Sequence, residues 1–166
     1  IIDPVCSLVF EAEVDERDVM RRPPRAPDAP LFAWSLIAWS ILQGAIVFFL
    51  VASLFVMVLY RGMPEDEARA LVFIALVVSI ISLILVNRSF STSLIRALRR
   101  PNPMLAVIAL AVTGLLMLSL YWPFAAGLFR FSLPHVNDLG LAALAGIIAF
   151  LIPEFLKPFW RKHLRF

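Results

Sequence analysis

The chain is poor in the residues that usually carry soluble chemistry. A single cysteine, Cys6, stands among 166 residues, which excludes an internal disulfide framework and a multi-cysteine zinc site. The two histidines, His135 and His163, are isolated in sequence, and neither is assigned as a ligand. The six glycines form no phosphate-cradling loop. Charged residues make up only 16 % of the chain. Ile1-Ile2 is too short for a signal peptide, and no basic segment precedes it. There is no internal repeat.

What is abundant is apolar length. Hydrophobic residues make up 61 % of the chain and the mean hydropathy is +0.90, outside the range of a soluble domain. Four long apolar segments lie at 32–59, 68–87, 104–122 and 139–160. Each reaches or approaches the ~20 residues that a spanning helix needs. The first is long enough to tilt or to extend past the bilayer. The chain begins without Met and inside an apolar stretch, so a piece of a longer protein is expected, with 1–10 the end of a further helix. The predicted fold is all-α: a polytopic helical membrane bundle of about four full transmembrane helices plus the end of a fifth.

The basic residues set the orientation. Of 15 Lys and Arg, twelve fall in the segment 11–30, the loop 88–103 and the C-terminus. Three fall in the alternate loops 60–67 and 123–138 or at their edges. By the positive-inside rule the first set is expected to be cytoplasmic and the second to face outward. Basic clusters at membrane ends are ordinarily lipid anchors, and nothing supports a nucleic-acid partner. Trp34, Trp39, Tyr60, Tyr121, Trp122 and Trp160 lie near span ends, as in an aromatic belt. Pro64-Glu65-Asp66-Glu67 puts a proline and three acids where the second span begins, which suits a helix N-terminus.

The opening residues carry the most chemistry. Ile1-Ile2-Asp3-Pro4-Val5-Cys6 sets a carboxylate and a helix-breaking proline inside an apolar run. A carboxylate at membrane depth is a functional-site hypothesis by default. The proline beside it removes a ladder hydrogen bond and can free carbonyl oxygens to bind a cation. Asp3 can equally cap a broken helix or meet an upstream partner. Further on, four prolines within residues 22–30 exclude helix and give an extended, semi-rigid connector.

Asp3 in a broken helix, followed by Asp18-Val19-Met20 and Arg22-Pro23-Pro24-Arg25, resembles the end of the sixth membrane helix and the next cytoplasmic loop of P-type cation-transporting ATPases, in the calcium-pump and sodium-pump branch. Asn87-Arg88-Ser89, Ser93-Leu94 and Pro101-Asn102 are similar to the end of the eighth helix and the loop after it. The resemblance covers the whole chain. It implies the end of helix six at 1–10, a cytoplasmic loop at 11–30, and helices seven to ten in 31–166. The topology read from Arg and Lys agrees with it. It implies that Asp3 coordinates the transported cation, with calcium the leading ion. Hard cations take oxygen ligands, carboxylates first.

Two departures shape that expectation. Pumps of this branch carry threonine before this aspartate and glycine after it; Ile2 and Pro4 stand here, so a hydroxyl ligand is absent. Two-site calcium pumps use a glutamate in the eighth helix, but 68–87 has no carboxylate past its first turn, only Ser79, Ser82 and Asn87 as polar residues. A single calcium per cycle is expected. The phosphorylation motif Asp-Lys-Thr-Gly is absent, so the fragment alone hydrolyses no ATP; ATP and Mg2+ belong to the parent pump. The implied partners are the bilayer, the N-terminal remainder of the pump and the cation. The loop 14–30 is expected to contact the phosphorylation domain. The implied location is a bacterial plasma membrane.

Other polar residues have more ordinary readings. Glu11 and Glu13 can line an ion path, but Asp15, Glu16, Arg17 and Asp18 continue them into a solvated run. Cys6 lacks a second cysteine and reads as an inert thiol. Gln43 is expected to bond across to another helix, worth ~1 kcal/mol. Gly44, Ser79, Ser82, Gly140 and Gly146 read as close-approach positions between helices. Pro153 is expected to kink the last span, and Glu154 to pair with Lys157 at i, i+3. Rival readings are a stand-alone membrane scaffold or regulatory subunit, and part of a secondary transporter, which also uses broken helices.

Overall fold

A computed structural model of the protein describes Glu11, residues 34–87 and residues 103–161. Asp3, Cys6, Glu13, the Pro-rich connector, the loop 88–102 and His163 lie outside the described residues. Glu11 is helical and exposed.

Five helices are described: α1 Trp34–Tyr60, α2 Glu65–Asn87, α3 Pro103–Tyr121, α4 Pro123–Phe129 and α5 Val136–Arg161. No strand occurs among the described residues. Four of the helices are long and apolar enough to cross a membrane. The all-α polytopic bundle expected from the apolar runs is therefore the observed fold. At ~1.5 Å per residue, the 27 residues of α1 span ~40 Å, more than a ~30 Å hydrocarbon core.

Local chemistry sets the helix ends. The amide of Gly62 donates to the Leu59 carbonyl at 2.9 Å, and that of Met63 to the Val58 carbonyl at 3.1 Å. With Gly62 at φ +79°, this is a Schellman ending of α1. Pro64 then starts α2, its carbonyl accepting from Ala68 at 2.9 Å. The three acids occupy the first turn of α2, so the span begins earlier than position 68. Their charge is favourable beside the unpaired amides there.

The order is up, down, up, down. Ser132 donates its amide to the Asp66 carbonyl at 3.2 Å, which ties the approach to α5 to the start of α2. At the far end Lys157 of α5 reaches the Val86 carbonyl of α2. Helices α2 and α5 therefore run parallel, although α3 and α4 separate them in sequence. They form the most extensive contact in the bundle. The acidic end of the bundle holds Glu65, Asp66, Glu67 and Asp138; the opposite, lysine end holds Ser35, Asn87 and Lys157.

Small side chains make the α2–α5 contact close. Ala68, Ala75, Ala142, Ala145 and Ala149 are buried. At Gly146 a Cβ would fall 2.3 Å from Cγ1 of Val78 and 3.5 Å from the Ser82 hydroxyl. Small residues allow the close van der Waals packing that helps membrane helices associate. Ser79 is fully buried, as a close-approach position should be. Gly44 and Gly140 differ: both are exposed, and a Cβ would meet nothing there among the described residues.

Leu54, Val58, Leu71, Ile74, Leu116 and Leu120 build the core near the acidic end. A smaller cluster of Ile84 and Ile108 joins α2 to the start of α3. Helix α3 otherwise faces outward, with Val107, Leu110, Met117 and Leu118 exposed.

Candidate functional site

The described polar chemistry in the bundle interior concentrates at the lysine end, where α1, α2 and α5 meet. Gln43 is buried on α1, and its amide nitrogen donates to Asn87 Oδ1 at 3.0 Å. The Asn87 amide nitrogen donates back to Gln43 Oε1, also at 3.0 Å. The pair satisfies a donor and an acceptor on each side chain, as burial requires. The cross-helix bond expected of Gln43 is thus present, with Asn87 as its partner.

One residue before Asn87, the Val86 carbonyl lies in the last turn of α2. No basic residue of α2 itself sits in that turn. Lys157, only 8 % exposed, donates to that carbonyl from α5. Its ammonium also donates to Glu154 Oε2 at 2.8 Å, the i, i+3 pair read from the sequence. An ammonium at a helix C-terminus is favourable because the carbonyls there carry partial negative charge. Pro153, one residue before Glu154, is fully buried, and α5 continues as helix through both Pro153 and Pro158.

An aromatic clamp closes this end. Trp160 Nε1 donates to the Ser35 carbonyl at 3.1 Å. Its ring lies 5.5 Å from that of Trp39, which is 2 % exposed. Trp39 and Trp160 therefore pack on each other, whereas Trp34, Tyr60, Tyr121 and Trp122 are exposed as an aromatic belt requires. The belt reading of Trp39 and Trp160 is corrected: the α1–α5 contact uses their rings.

Chemically, this end is closed. Its carboxylate holds a lysine, and its amides hold each other. Among the described residues no group of three or more His, Cys, Asp or Glu side chains can hold a metal ion. Asp3, the expected cation ligand, lies outside the described residues. At the acidic end His135 Nδ1 stands 3.4 Å from Glu67 Oε2, so His135 is not isolated in space. Arg69 pairs with Asp66 and, at 3.8 Å, with Glu65.

Four alternating spans, joined into one body by buried amides and a lysine cap, have a counterpart in sequence. Residues 1–159 match the family described as "Cation transporting ATPase, C-terminus". The chain belongs to that family. No curated protein matches it. As the C-terminal membrane part of a cation-transporting ATPase, the chain supplies helices to a protein of a class that hydrolyses ATP. Sequence reasoning found Gln43 and the Glu154–Lys157 pair. It missed the Lys157–Val86 cap, the Trp160–Ser35 bond and the His135–Glu67 approach. All three join residues distant in the chain, and no local spacing signals them.

Proposed function

We propose that this chain forms the C-terminal membrane part of an ATP-driven calcium pump, in which Asp3 coordinates the transported ion. The family match over residues 1–159 carries the pump reading. For Asp3 the support is its carboxylate beside Pro4 in an apolar run. The calcium assignment rests on oxygen-ligand chemistry and on the resemblance to the calcium-pump branch. The described bundle is support and anchor: Gln43, Asn87, Glu154 and Lys157 hold one another, while the Ser79 hydroxyl, the Trp39 indole N–H and Arg69 Nε are buried without a hydrogen-bond partner among the described residues.

The lysine end is assigned to the cytoplasm. Two of its contacts, Lys157 with Val86 and Trp160 with Ser35, bring together the start of α1, the end of α2 and the end of α5. Those helix ends and the segments leaving them hold the twelve cations, and the positive-inside rule assigns such regions to the cytoplasm. ATP and Mg2+ act on domains outside this chain, and the loop 14–30 contacts the phosphorylation domain.

The test is ATPase activity of the full-length protein in lipid against a panel of cations, with Asp3→Asn alongside. Calcium-activated turnover that the substitution abolishes is the expected result. Activation by another ion replaces calcium in the assignment. Activation unchanged by Asp3→Asn removes the site residue. No cation-activated ATPase at all overturns the pump reading.

A further inference from the structure

We propose that α4 is an interfacial helix whose apolar face lies in the phospholipid leaflet at the acidic end, with Arg130 on lipid phosphate. The inference rests on the four spans crossing a bilayer and not on which ion is moved.

The depth of α4 is fixed at both ends. One residue, Trp122, separates it from α3, and the Trp122 amide still donates to the Leu118 carbonyl at 3.0 Å. Trp122 is extended, φ −79° and ψ 116°, and Pro123 opens the new helix. The chain therefore turns aside where α3 reaches the membrane surface. After α4, Arg130 takes the left-handed conformation at φ 51°, and its amide donates to the Gly127 carbonyl at 3.3 Å. Phe131 then packs on Phe73 of α2, with ring centroids 5.2 Å apart. The amide of Ser132 holds the Asp66 carbonyl in the first turn of α2. Both ends of α4 are thus tied to the ends of spans, and its ~10 Å length lies at their level.

The surface of α4 suits lipid. None of its residues is buried. Phe124 and Leu128, one turn apart, are each 69 % exposed, and Trp122 and Phe129 are exposed beside them. This face is continuous with the outward face of α3. A shallow groove of about 650 Å³ there is lined by Gly114, Met117, Leu118, Tyr121 and Trp122. An apolar patch at that level meets the boundary between headgroups and acyl chains.

Charge selects the headgroup. Between Arg100 and Asp138, Arg130 is the only side chain with a fixed charge. It is exposed and makes no ion pair among the described residues. A guanidinium matches a phosphate in bidentate geometry, and its stem can lie along apolar surface. A water-facing loop would not join this apolar density to a single cation at its rim.

The test places nitroxide labels in the full-length, cysteine-free protein in phospholipid nanodiscs, at Phe124→Cys, Leu128→Cys and, as a solvent reference, Glu65→Cys. Collision with oxygen relative to a water-soluble nickel chelate should be several-fold higher at 124 and 128 than at 65. Nickel-favoured collisions at 124 and 128 would show a solvated helix and overturn the proposal. Low collision rates with both reagents would show a protein partner or second copy on this face, and would overturn it too. Arg130→Glu should shift the label at 128 toward the nickel reagent; no shift removes Arg130 from the phosphate. Should the labelled variants not fold, a photoactivatable phospholipid applied to the unsubstituted protein should mark residues 122–130. Absence of label there refutes the lipid contact.

Discussion

Replacing Lys157 with Met tests whether a single ammonium holds the lysine end together. The stem of Met fills much of the same space, so the change removes charge and donors rather than volume. Val86 and Glu154 are among the groups that lose a partner. The Val86 carbonyl, in the last turn of α2, loses its lysine donor. The Glu154 carboxylate loses its cation, but its side chain keeps a quarter of its exposure and can recover some hydration. Stranding a buried charge costs ~3–5 kcal/mol, and leaving a buried neutral acceptor unmade costs ~1–3 kcal/mol. Partial exposure discounts the first figure to the order of 1–2 kcal/mol, so the single change should cost ~2–5 kcal/mol in all. For a chain of this size each kcal/mol lowers the melting midpoint by ~2–4 °C. The assay is thermal unfolding in lipid nanodiscs, scanned at one rate. Adding Glu154→Gln to Lys157→Met should recover the carboxylate share and leave the Val86 share, a partial rescue. A midpoint for Lys157→Met within about 1 °C of the parent, or no rescue in the double variant, would refute the reasoning.

Other consequences are as direct. Gly146→Ala puts a Cβ against Val78, whose branched side chain has one strongly preferred rotamer in a helix, so a loss of ~1–3 kcal/mol is expected. Val78→Ala in the same protein should restore part of that loss in the same unfolding assay. Gln43→Leu leaves the Asn87 amide unpaired and should cost ~1 kcal/mol, while the double change Gln43→Leu with Asn87→Leu should lie closer to the parent. For the proposed calcium pump, the lack of a carboxylate in α2 past its first turn predicts a single calcium moved per ATP hydrolysed. Paired measurement of calcium uptake and phosphate release in proteoliposomes checks this, and a ratio of two removes it.

The spans were legible because apolar length is a one-dimensional property. Ala, Val, Leu and Ile run from Leu71 to Val86 with only Phe73, Ser79 and Ser82 interrupting, and nothing but a membrane helix needs that. Boundaries depended on a few atoms. The acids at 65–67 read as the entry to a helix, with the span bounded only from 68, and they belong to its first turn. Helix α4 was hidden: seven residues after Trp122-Pro123 give too short a window for any period, and the segment read as loop. Gln43 could be read as a polar side chain with nowhere to go but another helix. Its partner could not, since Asn87 lies 44 positions away. The same holds for the tryptophans. Position near a span end cannot distinguish a ring facing headgroups, as at Trp34, from one buried against another ring, as at Trp39. Asp3 was legible only as a charge out of place; spacing within this chain gives it no companion ligands.

The parallel pairing of α2 with α5 has a consequence for how the protein is made. Val86 and Lys157 are 71 positions apart, and two further helices are synthesised between them. When α2 leaves the ribosome and enters the bilayer, its small-residue face and its open last turn have no partner. Lipid must cover the first, and water or headgroups the second, until α5 arrives at the very end of this segment. During that interval α1 and later α3 are the described helices that can hold α2. Premature termination before residue 136 would therefore strand a helix that is apolar enough to insert but lacks its most extensive described neighbour.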